Sequence, residues 1–449
     1  MIDYPKVESA LRSAAPEALP EALRAVLLTM GVGGVEVHLA DYGLRVLTAV
    51  GGPRPAAALP INGSVQGRAF ASQRPQYQQA GDGTTIVTVP VTVRGDRHGT
   101  LTAGLSADDA GPAAVEALEA AARLLGHEIV VAERDTDVYH QARRASRLTL
   151  AAETQWQLLP GRASRRREYS LGAQLEPAYA IRGDSYDWAA TGTDLALTVV
   201  NGMGEGMAAA QLTGLAVNAL RNARRAGIGL ADQAALADQA VYAQHRGDQY
   251  VSALLLSFAY DSGEVTVVDA GSPQIWLRRG RVVERVAVEP QLPLGMFEET
   301  AYTEQSFRVR PGDRLVVISD GAHAALSPGG EAYGAAALQR GINSSNLLPA
   351  TDVPRRSCAR WRSTGRRTPT TMPSWCAWTG TAALLRDGGG VTAAPDRRSA
   401  RRPHPAPCSP HRVRPAGGRR SAPSRPSPRS GWPRRRRCRP GRASRWGST

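Results

Sequence analysis

The stretch from residue 195 to residue 227 constrains the fold of this chain most. An apolar run at 195–200 predicts a buried strand, and the glycine-rich turn 202–206 opens into an alanine- and leucine-rich segment with helical spacing. A strand, a glycine turn and a helix N-terminus together bring backbone close to an anion or a metal ion. Such turns also use glycine for steric reasons alone, so this pattern leaves both interpretations open.

Strands and helices alternate through the rest of this region. The pattern predicts helices at 206–225 and 231–243, with Gly227 ending the first of them. It predicts strands at 250–260, 264–269, 275–279 and 281–286, which we interpret as a meander, and an apolar strand at 315–318 that leads into Ser319-Asp320-Gly321. The fold class that follows is mixed α/β (α+β).

Five short blocks stand in a particular order along this region. They are RGDSYD at 182–187, NGMGEGMAA at 201–209, AGSPQ at 270–274, PLG at 293–295 and SDG at 319–321. In this order they resemble the phosphatase domain of the stage II sporulation protein E type, in the metal-dependent PPM (protein phosphatase 2C) superfamily. The resemblance covers about residues 166–354 and implies two stacked sheets flanked by helices.

The resemblance also implies a centre for two ions, Mn²⁺ or Mg²⁺, held mainly by carboxylates, because hard cations prefer oxygen ligands. The positions that match are Asp184, Asn201, Gly202 (through its carbonyl) and Asp320. The family has an aspartate where Asn201 stands, and a neutral amide cannot replace the charge of a bridging carboxylate. Other departures are Arg182, Glu205 and Ser272, which replace a glycine and two histidines. The site is therefore predicted to be weakened.

Residues 1–130 are predicted to form a separate domain. A helical pattern at 7–29 precedes strands at 34–39, 44–50, 85–93 and 98–105, with a glycine-rich middle at 62–70 and a closing helix at 112–131. This order resembles a GAF domain, which implies an α/β sensor with a small-molecule pocket on one sheet face. The alternative is a GAF fold that binds no ligand and only dimerises.

Residues 131–165 are predicted to link the two domains. Helical spacing from 130 to 160 predicts one long helix ended by Pro160, and such a helix suggests a signalling coiled coil in a homodimer. The alternative is an amphipathic helix packed on its own domain. The basic stretch from Arg162 to Arg167 is predicted to be a solvated connection.

The composition changes sharply at residue 355. Residues 355–449 hold 24 arginines and two aspartates, whereas the other 354 residues hold 31 basic and 38 acidic side chains, a net charge of −7. The overall net charge of +15 therefore belongs to the tail, and so do all four cysteines, none with the C-x-x-C spacing of a zinc site. We predict a disordered tail that binds no nucleic acid specifically, the alternative being a nucleic-acid-binding protein.

The tail also has an interpretation in another reading frame. With suitable codons, a one-base shift turns 370–379 into DDDAVVVRLD, and Met372, Trp375 and Trp378 each have only one codon. An acidic cluster before a strand is the last motif of the family, which the recorded frame lacks. A frameshift near codon 354 would leave the phosphatase domain incomplete at its C-terminus.

The function expected from these patterns is hydrolysis of a serine or threonine phosphoprotein by a water that two metal ions activate. Within the resembled family the substrate is often an anti-sigma-factor antagonist of bacterial partner switching. The alternative is a pseudophosphatase or regulatory binding module, favoured by Asn201 and the lost last motif. No apolar run of about 18 residues and no secretory signal is visible, so a cytoplasmic protein without a membrane partner is expected.

Overall fold

The computed structural model describes residues 2–51, 57–175, 178–179, 183–271, 273–319 and 335–354, and the backbone alone of 374–380. All of these lie in one compact unit, Met1–Arg386. Asp320 and the segments 355–373 and 381–449 lie outside the described residues, so the predictions that concern them stay predictions. Within the described part of the chain, no helix is long and apolar enough to cross a membrane.

The N-terminal part is built on a six-stranded antiparallel sheet of order β3-β2-β1-β6-β5-β4. Side chains alternate across its strands: Val37 and Leu39 of β1 enter a core shared with α1, α2 and α4, while Ala40 packs with Phe70 of α3 in a smaller cluster. The elements are α1 Tyr4–Ser13, α2 Leu19–Leu28, β1 Gly33–Ala40, β2 Val46–Val50, β3 Leu59–Pro60, α3 Val65–Ser72, β4 Gln76–Gln79, β5 Thr85–Val93, β6 Asp96–Leu105 and α4 Pro112–Ala132.

The four predicted strands and the closing helix of this part are confirmed within one or two residues. The helical pattern at 7–29 divides into α1 and α2 around a short 3₁₀ turn, Pro16–Ala18. The glycine-rich middle contains helix α3, which the sequence did not predict; Ser64 caps it by accepting a hydrogen bond from the Gly67 amide at 2.9 Å.

The prediction of one long helix over 130–160 is wrong. Helix α4 ends at Ala132, and two short helices follow, α5 Val138–Ala142 and α6 Leu150–Leu158. Between these short helices the backbone bonds elsewhere: the carbonyl of Arg143 accepts the amide of Tyr42 at 3.0 Å. Helix α6 then begins after Thr149, whose side chain caps it. Because the helix is not continuous, the coiled-coil argument for a homodimer no longer holds.

The second part consists of two antiparallel sheets with an apolar core between them. One sheet has five strands in the order β15-β12-β11-β10-β9 and the other six, in the order β14-β13-β16-β17-β8-β7. Leu197 and Leu254 of the first sheet share a core with Leu171 and Leu315 of the second. Helices α7 and α8 cover the outer face of the first sheet through a separate cluster. The elements are β7 Ala163–Arg165, β8 Tyr169–Leu175, β9 Asp184–Ala190, β10 Asp194–Gly202, α7 Gly206–Arg225, α8 Leu230–His245, β11 Val251–Ala259, β12 Glu264–Ala270, β13 Gln274–Arg279, β14 Val282–Arg285, β15 Gln305–Arg308, β16 Arg314–Ile318, α9 Ala335–Ser344 and β17 Ser374–Gly380.

Three predictions for this part need correction. The strands predicted as one meander divide between the sheets, because β11 and β12 belong to the five-stranded sheet and β13 and β14 to the six-stranded one. The predicted linker, 131–165, already contains β7, which pairs with β8. Finally, β17 comes from the segment that we predicted to be disordered and outside the domain, yet its backbone pairs with both β16 and β8. Ladder hydrogen bonds use backbone atoms, so a strand of very different side chains can occupy this position.

Candidate metal site

The predicted metal positions Asp184 and Asn201 are direct cross-strand partners at one end of the first sheet. The row continues to Ser252 of β11, which is the partner of Asn201. Residues opposite each other in antiparallel strands project from the same face. Further along the strands, this face carries Tyr186 and Leu254 of the core between the sheets. The three polar side chains therefore lie together at the rim of the sandwich.

A close backbone approach holds the chain just before Asp184 against the end of β10. The amide of Gly202 donates to the carbonyl of Gly183 at 2.9 Å, and the Thr213 hydroxyl of α7 donates to the same oxygen at 2.7 Å. A Cβ atom on Gly183 would lie 1.7 Å from the carbonyl oxygen of Gly202. Only glycine fits at position 183, so the RGD turn and the glycine hinge are held in direct backbone contact through Gly183 and Gly202.

The hinge after Asn201 lets helix α7 begin beside the row. Gly204 and Gly206 have φ values of +98° and +64°, a left-handed backbone that other residues rarely adopt. Helix α7 begins at Gly206 with Glu205 at its N-cap, and among the described residues no capping hydrogen bond from the Glu205 side chain to the helix is seen. The N-terminus of a 20-residue helix carries partial positive charge, so this end of α7 favours an anion near Asn201.

Asp187, the second aspartate of the RGDSYD block, has a different role. Its side chain is buried and forms ion pairs with Arg221 at 2.6 Å and Arg224 at 2.8 Å, both on α7. Adjacent strand positions face opposite sides of a sheet, which places Asp187 on the helix side and Asp184 on the side between the sheets. Asp187 therefore fastens α7 to β9 and is not available to an ion beside Asp184.

Asp269 is a buried carboxylate that the sequence-based site did not include. It lies near the end of β12 on the face that carries Asp184, and it accepts the amide of Gly271 at 3.1 Å. Burial raises the pKa of Asp269 from its ordinary value of 3.8 to about 6. The sequence did offer a signal for Asp269, because this aspartate closes the apolar strand in VTVVDAG. Asp269 stands in the cross-strand row of Tyr186, two residues along from that of Asp184. Three strand spacings of about 4.8 Å together with this offset put its Cα roughly 16 Å from that of Asp184, too far to share one ion.

The structure thus brings together three of the four predicted positions: Asp184, Asn201 and Gly202. Asp320 follows the buried Ser319 at the end of β16, but it lies outside the described residues. Among the described residues there is no group of three or more His, Cys, Asp or Glu side chains placed to hold a metal ion. The donors present, a carboxylate, an amide oxygen and a backbone carbonyl, fit a hard divalent cation in kind.

One family model matches part of the chain. Residues 191–369 match the model of stage II sporulation protein E (SpoIIE), so Asn201, Gly202 and Asp320 lie inside the match and Asp184 lies seven residues before it. The match also runs past Pro354 into the segment for which we suggested another reading frame. No curated protein sequence matches the chain.

Solved structures that are similar to parts of this chain include the following three. The RsbU and RsbW domains of a Mycobacterium tuberculosis protein are 23% identical, with 48% of this chain and 60% of that chain covered and a TM-score of 0.41. The PP2C phosphatase domain with a regulatory fragment of SpoIIE from Bacillus subtilis is 13% identical, with 70% and 85% covered and a TM-score of 0.40. The catalytic domain of the phosphatase PstP of M. tuberculosis, in complex with two manganese ions, is 17% identical, with 47% and 97% covered and a TM-score of 0.36.

Proposed function

We propose that this chain removes phosphate from serine or threonine of a phosphoprotein. Two things support this: residues 191–369 match the model of stage II sporulation protein E (SpoIIE), and the five sequence blocks resemble the PP2C-type phosphatases. The observation that carries the proposal is the pairing of Asp184 with Asn201 at the rim of the sandwich, beside the N-terminus of α7. Oxygen donors and a positive helix end in one place suit a cation and a phosphate group together.

In this proposal Asp184, the amide oxygen of Asn201, the Gly202 carbonyl and Asp320 would hold Mn²⁺ or Mg²⁺. Bound ions of this kind lower the pKa of water and neutralise charge on a phosphoryl group. The chain's own contribution is positional: the Gly183–Gly202 contact sets the distance between β9 and β10, and Thr213 fixes α7 to both. The α7 N-terminus would orient the phosphate monoester through its backbone amides.

For partners, we propose a phosphoprotein of the anti-sigma-factor-antagonist type, by resemblance to the partner-switching phosphatases. The N-terminal six-stranded sheet would then serve as a GAF-like sensor, approximately residues 1–130. The phosphatase region begins at β7 and includes β17, so this proposal replaces the boundaries 166–354 expected from the sequence.

A second candidate is a pseudophosphatase that binds a phosphoprotein without turnover. Asn201 favours it, because an amide supplies one neutral oxygen at a position where the family has a bridging carboxylate. Loss of such a charge weakens binding of a divalent ion far more than loss of a neutral ligand. The two candidates share one binding surface and differ in the metal occupancy at Asp184.

The deciding experiment measures hydrolysis of p-nitrophenyl phosphate and of a phosphoserine peptide during a Mn²⁺ titration. Wild type should require Mn²⁺, D184A should lose at least 100-fold in rate, and N201D should need at least tenfold less Mn²⁺. D261A, at an exposed turn between β11 and β12, is the matched control and should behave as wild type. If wild type is no faster than D184A, the enzyme proposal is refuted; peptide binding by both would then identify the pseudophosphatase.

The reading-frame hypothesis has its own test, which is to resequence codons 340–390. A one-base correction that encodes DDDAVVV would supply a carboxylate cluster directly before the β17 position, and the corrected protein should then hydrolyse the phosphopeptide faster. Confirmation of the recorded frame would refute the frameshift and leave β17 as the natural last strand.

A further inference from the structure

A cavity of about 360 Å³ lies where the N-terminal sheet meets α6, β7 and β9. Tyr42, Asp96 and the end of α4 form one side, and Trp156, Arg162 and Trp188 form the other. Its volume lies within the range of about 300–1,000 Å³ that is typical of small-molecule sites, and junctions between domains are common places for such sites. It is separate from the rim that carries Asp184 and Asn201.

Arg162 is the least satisfied charged group of this cavity. We predicted a solvated side chain from the sequence, but it is only 6% exposed. Its Nη1 atom donates to the Tyr42 carbonyl at 3.3 Å, whereas Nη2 has no hydrogen-bond partner within the described parts of the chain. Burial lowers the pKa of Arg162, with the charge of Arg143 adding to the effect. A guanidinium stays charged in proteins, so a buried and unmatched one is costly unless an anion approaches it.

The carboxylates that line the cavity are already engaged. Glu133 forms an ion pair with Arg143 at 3.1 Å. Asp96 accepts the backbone amides of Arg97 at 2.9 Å and Arg162 at 3.0 Å. No ion pair joins either carboxylate to the Arg162 guanidinium among the described residues, so its charge remains available to a ligand from outside.

Aromatic rings surround the same guanidinium. The rings of Tyr42 and Trp156 lie 4.9 Å apart between centroids with a tilt of 37°. The Arg162 Cζ atom lies 5.7 Å from the centre of the Trp156 ring. Trp188 contributes a third ring, held by a hydrogen bond from its Nε1 to the Gly161 carbonyl at 2.9 Å. A cation beside fixed aromatic faces suits a ligand that is both anionic and flat.

We propose that this cavity binds a small organic anion, namely a planar ring that bears a carboxylate or a phosphate group. The anionic group lies against the Arg162 guanidinium, and the ring packs against Trp156 and Trp188. The occupant therefore touches both parts of the chain, including β9, the strand that begins at Asp184. Neither its binding nor its test depends on phosphatase activity.

Isothermal titration calorimetry on the full chain tests the proposal with benzoate, adenosine monophosphate and inorganic phosphate as probes. We expect at least one ring-bearing anion to bind at least tenfold more tightly than inorganic phosphate. The tighter of benzoate and adenosine monophosphate identifies the preferred anionic group. R162Q should weaken that probe at least tenfold, and W188A should weaken it while leaving inorganic phosphate unchanged.

R314Q is the matched control, because Arg314 is also buried but donates to backbone carbonyls at Leu348, outside the cavity. It should bind the probe as wild type does. If R162Q does not fold, W188A alone tests the proposal, since Trp188 is a half-buried side chain in the wall of the cavity. The proposal is overturned if no ring-bearing probe binds, if R162Q binds with wild-type affinity, or if W188A binds the ring-bearing probe unchanged.

Discussion

The ion pair between Arg97 and Asp352 gives the sharpest test of how the two parts of the chain depend on each other. Arg97 lies on β6 of the N-terminal sheet, and Asp352 lies in a short 3₁₀ turn against β8 of the second part. The guanidinium contacts the Asp352 carboxylate through Nη1 and donates through Nη2 to the Thr351 hydroxyl at 3.1 Å. We consider the substitutions R97M and D352L, singly and together.

The burial of the pair determines how much unfolding free energy each substitution should cost. The two side chains are 9% and 8% exposed, so water screens neither charge effectively. Removing one member leaves the other charge buried and unmatched, which typically costs about 3–5 kcal/mol of unfolding free energy. Replacing both by apolar residues removes both desolvation penalties, so the double variant should be more stable than either single variant.

Urea unfolding of the full chain, followed by tryptophan fluorescence, measures these free energies. R12M is the control, because Arg12 forms an exposed pair with Glu8 that is worth about 1 kcal/mol or less. Single variants at Arg97 or Asp352 that cost no more than R12M would refute the argument that burial makes this pair decisive. So would a double variant whose loss equals the sum of the single losses.

Three further predictions concern single side chains. G183A should lower stability by more than about 2 kcal/mol in thermal unfolding, because the added Cβ would lie 1.7 Å from the Gly202 carbonyl oxygen. Y179F should cost about 1.5–3 kcal/mol in urea, because it removes a 2.7 Å hydrogen bond from the hydroxyl to the buried Asp41 carboxylate. Asp269 should make stability depend on pH, since a pKa raised from 3.8 to about 6 means that the folded state binds the proton more tightly. Its contribution is then full below about pH 4 and is lost as the pH rises to 6, by at most about 3 kcal/mol, and D269N should remove that slope.

Each of these has a contrary outcome. Wild-type melting of G183A would show that β9 and β10 can separate at that point without loss. A Y179F variant as stable as wild type would mean that water replaces the tyrosine hydroxyl at Asp41. Identical pH profiles for D269N and wild type would mean that Asp269 titrates as an ordinary exposed carboxyl group.

The sequence predicted where helices and strands begin and end better than it predicted which strands pair with each other. Helix α7 was predicted with its observed bounds, because a glycine hinge begins it and Gly227 follows it. The division of strands between sheets was missed, since periodicity identifies a strand but not its partner. Of the site, the pairing of Asp184 with Asn201 follows from register, which the motif alone could not give.

Other misses have a common physical origin in long-range contacts. Arg162 belongs to a basic run that looks solvated, yet rings from distant segments enclose it. Asp269 lies near the end of the apolar strand β12, directly before the AGSPQ block, but the sequence did not show that its carboxyl group would be buried. The helix expected over 130–160 is divided into shorter helices, and the backbone between α5 and α6 bonds to Tyr42 and Tyr179 instead.

The position of β17 has a consequence for how the protein is made. Strand β8 pairs with β7 on one side, but its other neighbour is β17, and the partner of Tyr169 is Gly380, 211 positions later. At about 5–20 residues per second, synthesis leaves β8 waiting roughly 10–40 s for that neighbour. Throughout that interval the ribosome-bound chain presents an open, apolar strand edge, the kind of surface that chaperones bind and that other nascent chains can join. The second sheet can therefore close only after β17 has been synthesised. The yield of folded protein should depend on how well chaperones cover the open edge of β8 until then.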